Sequence, residues 1–382
     1  VVNPDYISDA WLVRCWVLCA LLVLGCSRPR QSPAEASRPI AVDEATTLVA
    51  KLEGVAVPCN ADQFRPFIDS DAFRDRVSKH DPEQKEAVVA KVEGFTGMSL
   101  VATKWCAWLH NIDDYKFLRL RQVAGHSRAV MRRSTGLTAT YHELELVRSR
   151  DGKVRVADVY SYFKGEWISE EIAALQKAGA KDPAALTTGL KLAKVTALEN
   201  AEPAEALAVL DSLPAEMLAL RSIQGWRVKL GQNVSMEVYK TALDELARRF
   251  PDDPSVALLA IDGAILGGDL TGALRSLDLV GAQLGPDPYL TSTRAMILVL
   301  RNGSGDLDAA ERVMRAEPEL AITSLARIAV AVGRHQWTSA LEQMDQASQR
   351  FQLQFDDTML SAPLYTELVK TPEFAAWRAK RP

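Results

Sequence analysis

From Ala206 onward an alanine followed four residues later by a large apolar residue recurs at intervals of 30 to 37 residues: Ala206 and Leu210, Ala242 and Leu246, Ala273 and Leu277, Ala310 and Met314, Ala340 and Met344. Successive alanines stand 36, 31, 37 and 30 residues apart. Residues one helical turn apart share a helix face, so the small side chain lets a neighbouring helix approach and the large one fills the space beside it. Recurrence on this scale marks stacked helix pairs, each burying its apolar face against the next, and excludes a strand-rich fold for residues 181–350.

Three residues before these alanines stand Pro203, Tyr239, Leu270, Leu307 and Trp337, and the turns Gly268-Asp269-Leu270 and Gly305-Asp306-Leu307 repeat one another. Pro214, Pro251, Pro254, Pro286, Pro288 and Pro318 punctuate the junctions. The pattern resembles five tetratricopeptide units, whose period is about 34 residues. Two features depart from it: the small residue that should follow Trp226 on the first helix of the second unit is missing, and Gly333 lies two positions too far from Ala340. The resemblance implies a concave groove that binds a protein or peptide partner and performs no chemistry. Residues 351–382, with Phe351, Phe355, Leu360, Leu364, Phe374 and Trp377, are expected to cap the last repeat.

Upstream the period changes. Ala45–Leu52 and Ala61–Val77 read as helices, and a longer one is expected from Asp81-Pro82-Glu83 to about Trp108, weak near Gly94 and Gly97. Tyr115–Val123, His126–Ser134, Thr138–Arg150 and Lys153–Phe163 then alternate with period two, the last pair joined across Asp151-Gly152, which predicts a four-stranded meander before a helix over Ser169–Lys177. Helices followed by such a meander, carried by TYHELELVRSRDGKVRVADVYSYFKGEWISE at residues 140 to 170, resemble the nuclear transport factor 2-like and SnoaL-like superfamily. That resemblance implies an α+β cone-like domain over residues 42–180, whose sheet curls around a pocket that is catalytic in some members and inert in many.

Within that frame His142, Leu144 and Leu146 share one face of the third strand, and Val154, Val156, Asp158, Tyr160 and Tyr162 share a face of the fourth. His142, Asp158, Tyr160 and Tyr162 are therefore the candidate pocket: a carboxylate beside an imidazole tunes a general base, and phenol hydroxyls bind a developing oxyanion. Satisfied structural roles for the same groups are the competing reading. HELEL at His142 lacks the second histidine of a zinc-protease motif. Arg119, Arg121, Arg128, Arg132 and Arg133 are expected on a solvated sheet surface, a basic face for an anionic partner being the alternative.

Cys15 to Leu24 is an uncharged apolar run, too short to span a bilayer as a helix and fitting the core of a signal peptide over residues 1–25. It ends in Val23-Leu24-Gly25-Cys26-Ser27, which resembles a bacterial lipobox and implies lipidation of Cys26. Residues 26–41, rich in Pro, Ser and Arg, read as a flexible linker. The implied location is the outer membrane, facing the periplasm, with the lipid as the sole membrane contact. Cys59 and Cys106 remain; in an oxidising compartment they can pair, and two separately buried thiols account for them equally well.

With 45 basic against 49 acidic residues, a net charge of −4 argues against a nucleic-acid partner held by bulk electrostatics. There is no phosphate-binding glycine loop, no dinucleotide fingerprint, no nucleophile elbow and no metal-ligand spacing, so no cofactor and no catalytic residue is assigned. The sequence thus points to an α+β cone-like domain followed by an all-α tetratricopeptide-type domain, acting as a lipid-anchored partner-binding scaffold. Small-ligand binding or acid–base catalysis in the α+β pocket is the alternative.

Overall fold

A computed structural model describes residues 38–80, 97–110, 112–181, 185–199, 201–251, 253–302, 312, 315 and 320–380. The segment expected to be a signal peptide, Cys26, most of the expected linker, the expected helix start at Asp81 and the fourth alanine pair, Ala310 and Met314, lie outside the described residues.

Helix α1, Val42–Ala56, begins with Glu44 accepting from the Ala41 amide at 3.1 Å and from Arg148 at 2.8 Å. The single helix expected over 61–77 is two. Asn60 caps a short α2, Ala61–Phe64; Pro66 sits in a 3-10 turn; and Ile68 turns extended to bridge Val156 in parallel. Asp69 then restarts the helix by accepting the Ala72 amide at 2.9 Å, giving α3, Ser70–His80. The apolar spacing alone carried no sign of this break, whereas Pro66, which has no amide hydrogen to give a continuing helix, did. Helix α4 covers Gly97–Trp108.

Five antiparallel strands follow in sequential order: β1 Asp114–Val123, β2 His126–Thr135, β3 Thr138–Arg148, β4 Val154–Ser161 and β5 Glu166–Trp167. The expected four become five because Gly165, at φ 71°, reverses the chain so that Glu166 and Trp167 pair with Ser161 and Tyr160. Two residues carry no readable alternation, which is why β5 escaped the periodicity. The β1–β2 connection is a two-residue turn with Ala124 and Gly125 both at positive φ, the geometry that matches strand twist.

One face of the sheet, with Ala129, Met131, Leu144 and Val159, packs on Leu52, Phe64, Phe73, Trp105 and Ile168 of the surrounding helices. Cys59 and Cys106 lie at its border and are joined as a disulfide, Cα to Cα 5.6 Å, across a sequence separation of 47. Closing a loop of that length restricts the unfolded chain. Replacing both cysteines by alanine should therefore cost about 2–4 kcal/mol in urea unfolding. Dithiothreitol should lower the wild-type unfolding free energy by a similar amount and leave the double variant unmoved; a reductant-insensitive wild type would disprove the link.

Helix α5, Ile168–Lys181, leads into the array: α6 Ala185–Leu198, α7 Pro203–Asp211, α8 Ala215–Leu218, α9 Arg221–Val234, α10 Met236–Arg249, α11 Pro254–Leu266, α12 Leu270–Leu284, α13 Pro288–Asn302, α14 Ala321–Gly333 and α15 Trp337–Phe351. Consecutive helices pack as α6 with α7, α9 with α10, α11 with α12 and α14 with α15. In each pair the alanine and its large partner, Ala206 and Leu210, Ala242 and Leu246, Ala273 and Leu277, Ala340 and Met344, are buried on the second helix. Gly231 lets α9 and α10 approach closely, since an added Cβ would stand 3.2 Å from the Tyr239 backbone. Asp253 and Asp269 cap α11 and α12, each accepting a first-turn amide at 2.8 Å. Past α15, helices α16, Asp357–Leu360, and α17, Pro372–Arg378, bring Phe355, Leu360, Leu368 and Trp377 onto Ala340 and Met344, and the Trp377 indole donates to Asp345 at 2.8 Å.

The opposite face of the sheet is not solvated. Val130, Tyr141 and Tyr162 pack against Leu258, Ile261, Leu274, Leu277, Tyr289 and Leu290 of the array, so the sheet is covered on both sides.

Candidate functional site

The four pocket candidates do not converge. β3 carries His142 into the first core, 1% exposed, against the rings of Trp108 and Tyr115 with centroids 5.6 Å away in each case. The Tyr115 hydroxyl lies 3.1 Å from His142 Nδ1, and the Trp105 indole donates to that hydroxyl at 3.4 Å. Burial, reinforced by the Arg133 charge, pushes the imidazole down to about 3, so it is neutral at physiological pH.

Asp158 is used elsewhere. Its register partner on β3 is Glu145, whereas that of His142 is Ser161, because a bulge beside Glu145 and Leu146 shifts the β3–β4 ladder. The Asp158 carboxylate accepts from the Ser169 hydroxyl, from the Ser169 amide at 3.3 Å and from the Val159 amide at 2.8 Å, and so holds the first turn of α5. Burial raises its pKa to about 7 against the pull of those hydrogen bonds. Simple alternation placed it beside the histidine; the bulge, which alternation cannot show, does not.

Tyr160 and Tyr162 face the helical array. Tyr162 donates to Glu143 at 2.9 Å, and Tyr160 lies against Tyr162 and Trp167 with centroids 5.1 and 5.4 Å away. Burial raises both phenols above their usual range, so neither is an acid near neutral pH.

What the sequence reading missed is the polar seam these tyrosines belong to. Arg132 on β2 pairs with Asp287, at the start of α13, at 2.6 Å, both side chains 0% exposed, and Tyr141 donates to the other carboxylate oxygen at 2.6 Å. Arg121 and Arg128 reach Glu143 at 3.0 and 3.2 Å, and Arg119 donates to the Pro286 carbonyl. The arginine face expected to be solvated is thus turned inward, because the array supplies apolar cover and Asp287 while β3 supplies Glu143. Val130 and Tyr141, interleaved with those charges, were the available signal of a second buried face.

Further along the seam Arg221 donates to Asp253 at 2.8 Å and to Ser255 at 2.6 Å. Gly165 presses on this group so closely that an added Cβ would lie 2.5–2.6 Å from Arg221, Ser255 and Asp253 atoms. Beside it Glu166 is buried with Oε1 lacking a partner. Burial first, then the neighbouring Glu171 charge, raises Glu166 to about 8 against Ser222, Lys164 and Lys104.

No family model matches this chain, and no curated protein or solved structure does either. The chemistry therefore rests on the geometry. Among the described residues no cluster of three His, Cys, Asp or Glu side chains is placed to hold a metal, and no helix is long and apolar enough to cross a membrane. A crevice of about 450 Å³ opens between α1 and the β3–β4 hairpin over Leu48, Phe67 and Val154, but Glu44 there is tied to Arg148 and Arg155 to Asp151.

Proposed function

We propose that this chain is a lipid-anchored envelope protein, tethered through Cys26 on the periplasmic face of the outer membrane, that holds a protein or peptide partner and performs no catalysis. In this reading residues 42–180 form a nuclear transport factor 2-like domain, residues 181–350 a tetratricopeptide-type array and residues 351–382 its cap. The observation that carries it is the seam. Arg132 and Tyr141 of the sheet bind Asp287 of the array, while Glu143 pairs with Arg121 and Arg221 with Asp253, so these charged groups are engaged in holding the fold together instead of lining a reaction site. The same pairing engages Arg119, Arg121, Arg128 and Arg132, four of the five arginines of β1 and β2, with partners inside the chain. His142 and Asp158 are spent as a core ring and a helix cap, which removes the basis for acid–base catalysis between them.

Because the sheet already covers the beginnings of α9, α11 and α13, the partner surface is the rest of the array. Leu190 on α6, Leu279 on α12 and Met236 on α10 are 63%, 62% and 46% exposed there. Capture from envelope extract with the full mature chain, beside the variant Leu190→Glu/Leu279→Glu, tests the assignment. A protein retained by the former and lost by the latter is expected; identical capture by both, or none, removes the scaffold reading. Palmitate incorporation should disappear in Cys26→Ser, and labelling that survives the substitution removes the anchor.

A further inference from the structure

Arg133 stands apart from the other two arginines of β2. Arg128 and Arg132 each meet a carboxylate, whereas among the described residues none pairs with Arg133. Its contact is a long hydrogen bond of 3.4 Å to the His110 carbonyl just past α4, and its Nε has no partner. The register places Arg133 directly between Tyr115 on β1 and Thr140 on β3, so the three share one sheet face, and the Thr140 hydroxyl is also unpartnered. Burial lowers the guanidinium pKa, offset only in part by the Tyr115 phenol on the neighbouring strand. A partly desolvated guanidinium beside an unused hydroxyl is costly unless something accepts from it.

We propose that Arg133 and Thr140 form a binding site for a small carboxylate with an aromatic or apolar body, at the rim of the sheet where α4 ends. The planar guanidinium fork matches a carboxylate in bidentate fashion. One cation suits a monoanion better than a phosphate dianion. Trp108, half-buried beside His142 at the end of α4, supplies an apolar wall for the ligand body. This site is separate from the partner surface of the array and stands or falls without it.

Benzoate is the probe, titrated into the full mature chain by calorimetry and by tryptophan fluorescence, with acetate and inorganic phosphate alongside. Benzoate is expected to saturate with a dissociation constant on the order of 1 mM or tighter, about −4 kcal/mol. Acetate, lacking the ring, binds more weakly. Arg133→Met should weaken benzoate at least tenfold, Thr140→Val several-fold, and Arg133→Lys, which keeps the charge and loses the fork, should fall between; thermal unfolding checks that each variant is folded. Absence of saturation with benzoate, equal affinity in folded Arg133→Met or Arg133→Lys, or preference for phosphate overturns the proposal.

Discussion

Asp287→Ala is expected to lower the unfolding free energy by about 3–5 kcal/mol, the cost of leaving a buried charge without its partner. The Arg132 guanidinium has 0% side-chain exposure and loses its 2.6 Å partner, and the buried Tyr141 hydroxyl loses its acceptor in the same step. Water does not reach either group to compensate. The Asp287 carbonyl also accepts the Thr291 amide at 3.1 Å, so the residue begins α13, and its charge lies at the positive end of that helix. Replacing the whole unit behaves differently. Arg132→Met/Asp287→Leu/Tyr141→Phe removes charge and partner together and should cost far less than the single change, about 1 kcal/mol or nothing. Urea unfolding of both variants at neutral pH decides it. A single variant within 1 kcal/mol of wild type would mean that solvent enters the seam, and with it the weld between sheet and array would be lost.

The contrast between what was legible and what was not follows from the range of each signal. Period-two alternation over residues 115–163 located four strands to within a few residues, and the alanine recurrence located a helical region whose described pairs bury Ala206, Ala242, Ala273 and Ala340. Both are local. Pro66 was equally local and outweighed the apolar spacing on either side of it, splitting the expected helix. The bulge that separates Asp158 from His142 leaves no trace in alternation, since Val156 and Val159 both reach the same core across it. The seam is a pairing of residues 155 apart in sequence, Arg132 with Asp287, and no window on the chain contains both. A face bearing Arg128, Val130 and Arg132 reads as solvated until its cover is known. Glu166, an acid between Gly165 and Trp167, carried a faint local cue of burial that its charge obscured.

That glutamate governs the second large effect. Its ordinary pKa of 4.5 rises to about 8 in the folded chain, chiefly through burial and then through Glu171, with Lys104, Lys164 and Ser222 opposing. Those groups come from every element packed around it: Glu171 from α5, Lys104 from α4, Lys164 from the β4–β5 turn and Ser222 from α9. Below pH 4.5 the carboxyl is protonated in both folded and unfolded chains and costs nothing. Between 4.5 and 8 the unfolded chain ionises while the folded one resists, so the native state loses stability as pH rises, at about 1.4 kcal/mol per pH unit. The accumulated loss is on the order of 5 kcal/mol, complete once pH passes the folded value. Asp158, raised to about 7, adds a loss of the same sign as pH climbs toward that value, and His142, lowered to about 3, adds a gain as pH rises from 3 to 6.5. Comparing wild type with Glu166→Gln at each pH cancels both of those contributions. The two chains should be nearly equal at pH 4.5 and diverge steadily to pH 8, the glutamine variant becoming the more stable by several kcal/mol. Curves that run parallel across that interval would show that Glu166 ionises freely, and that the junction of β5, α5 and α9 is open to water.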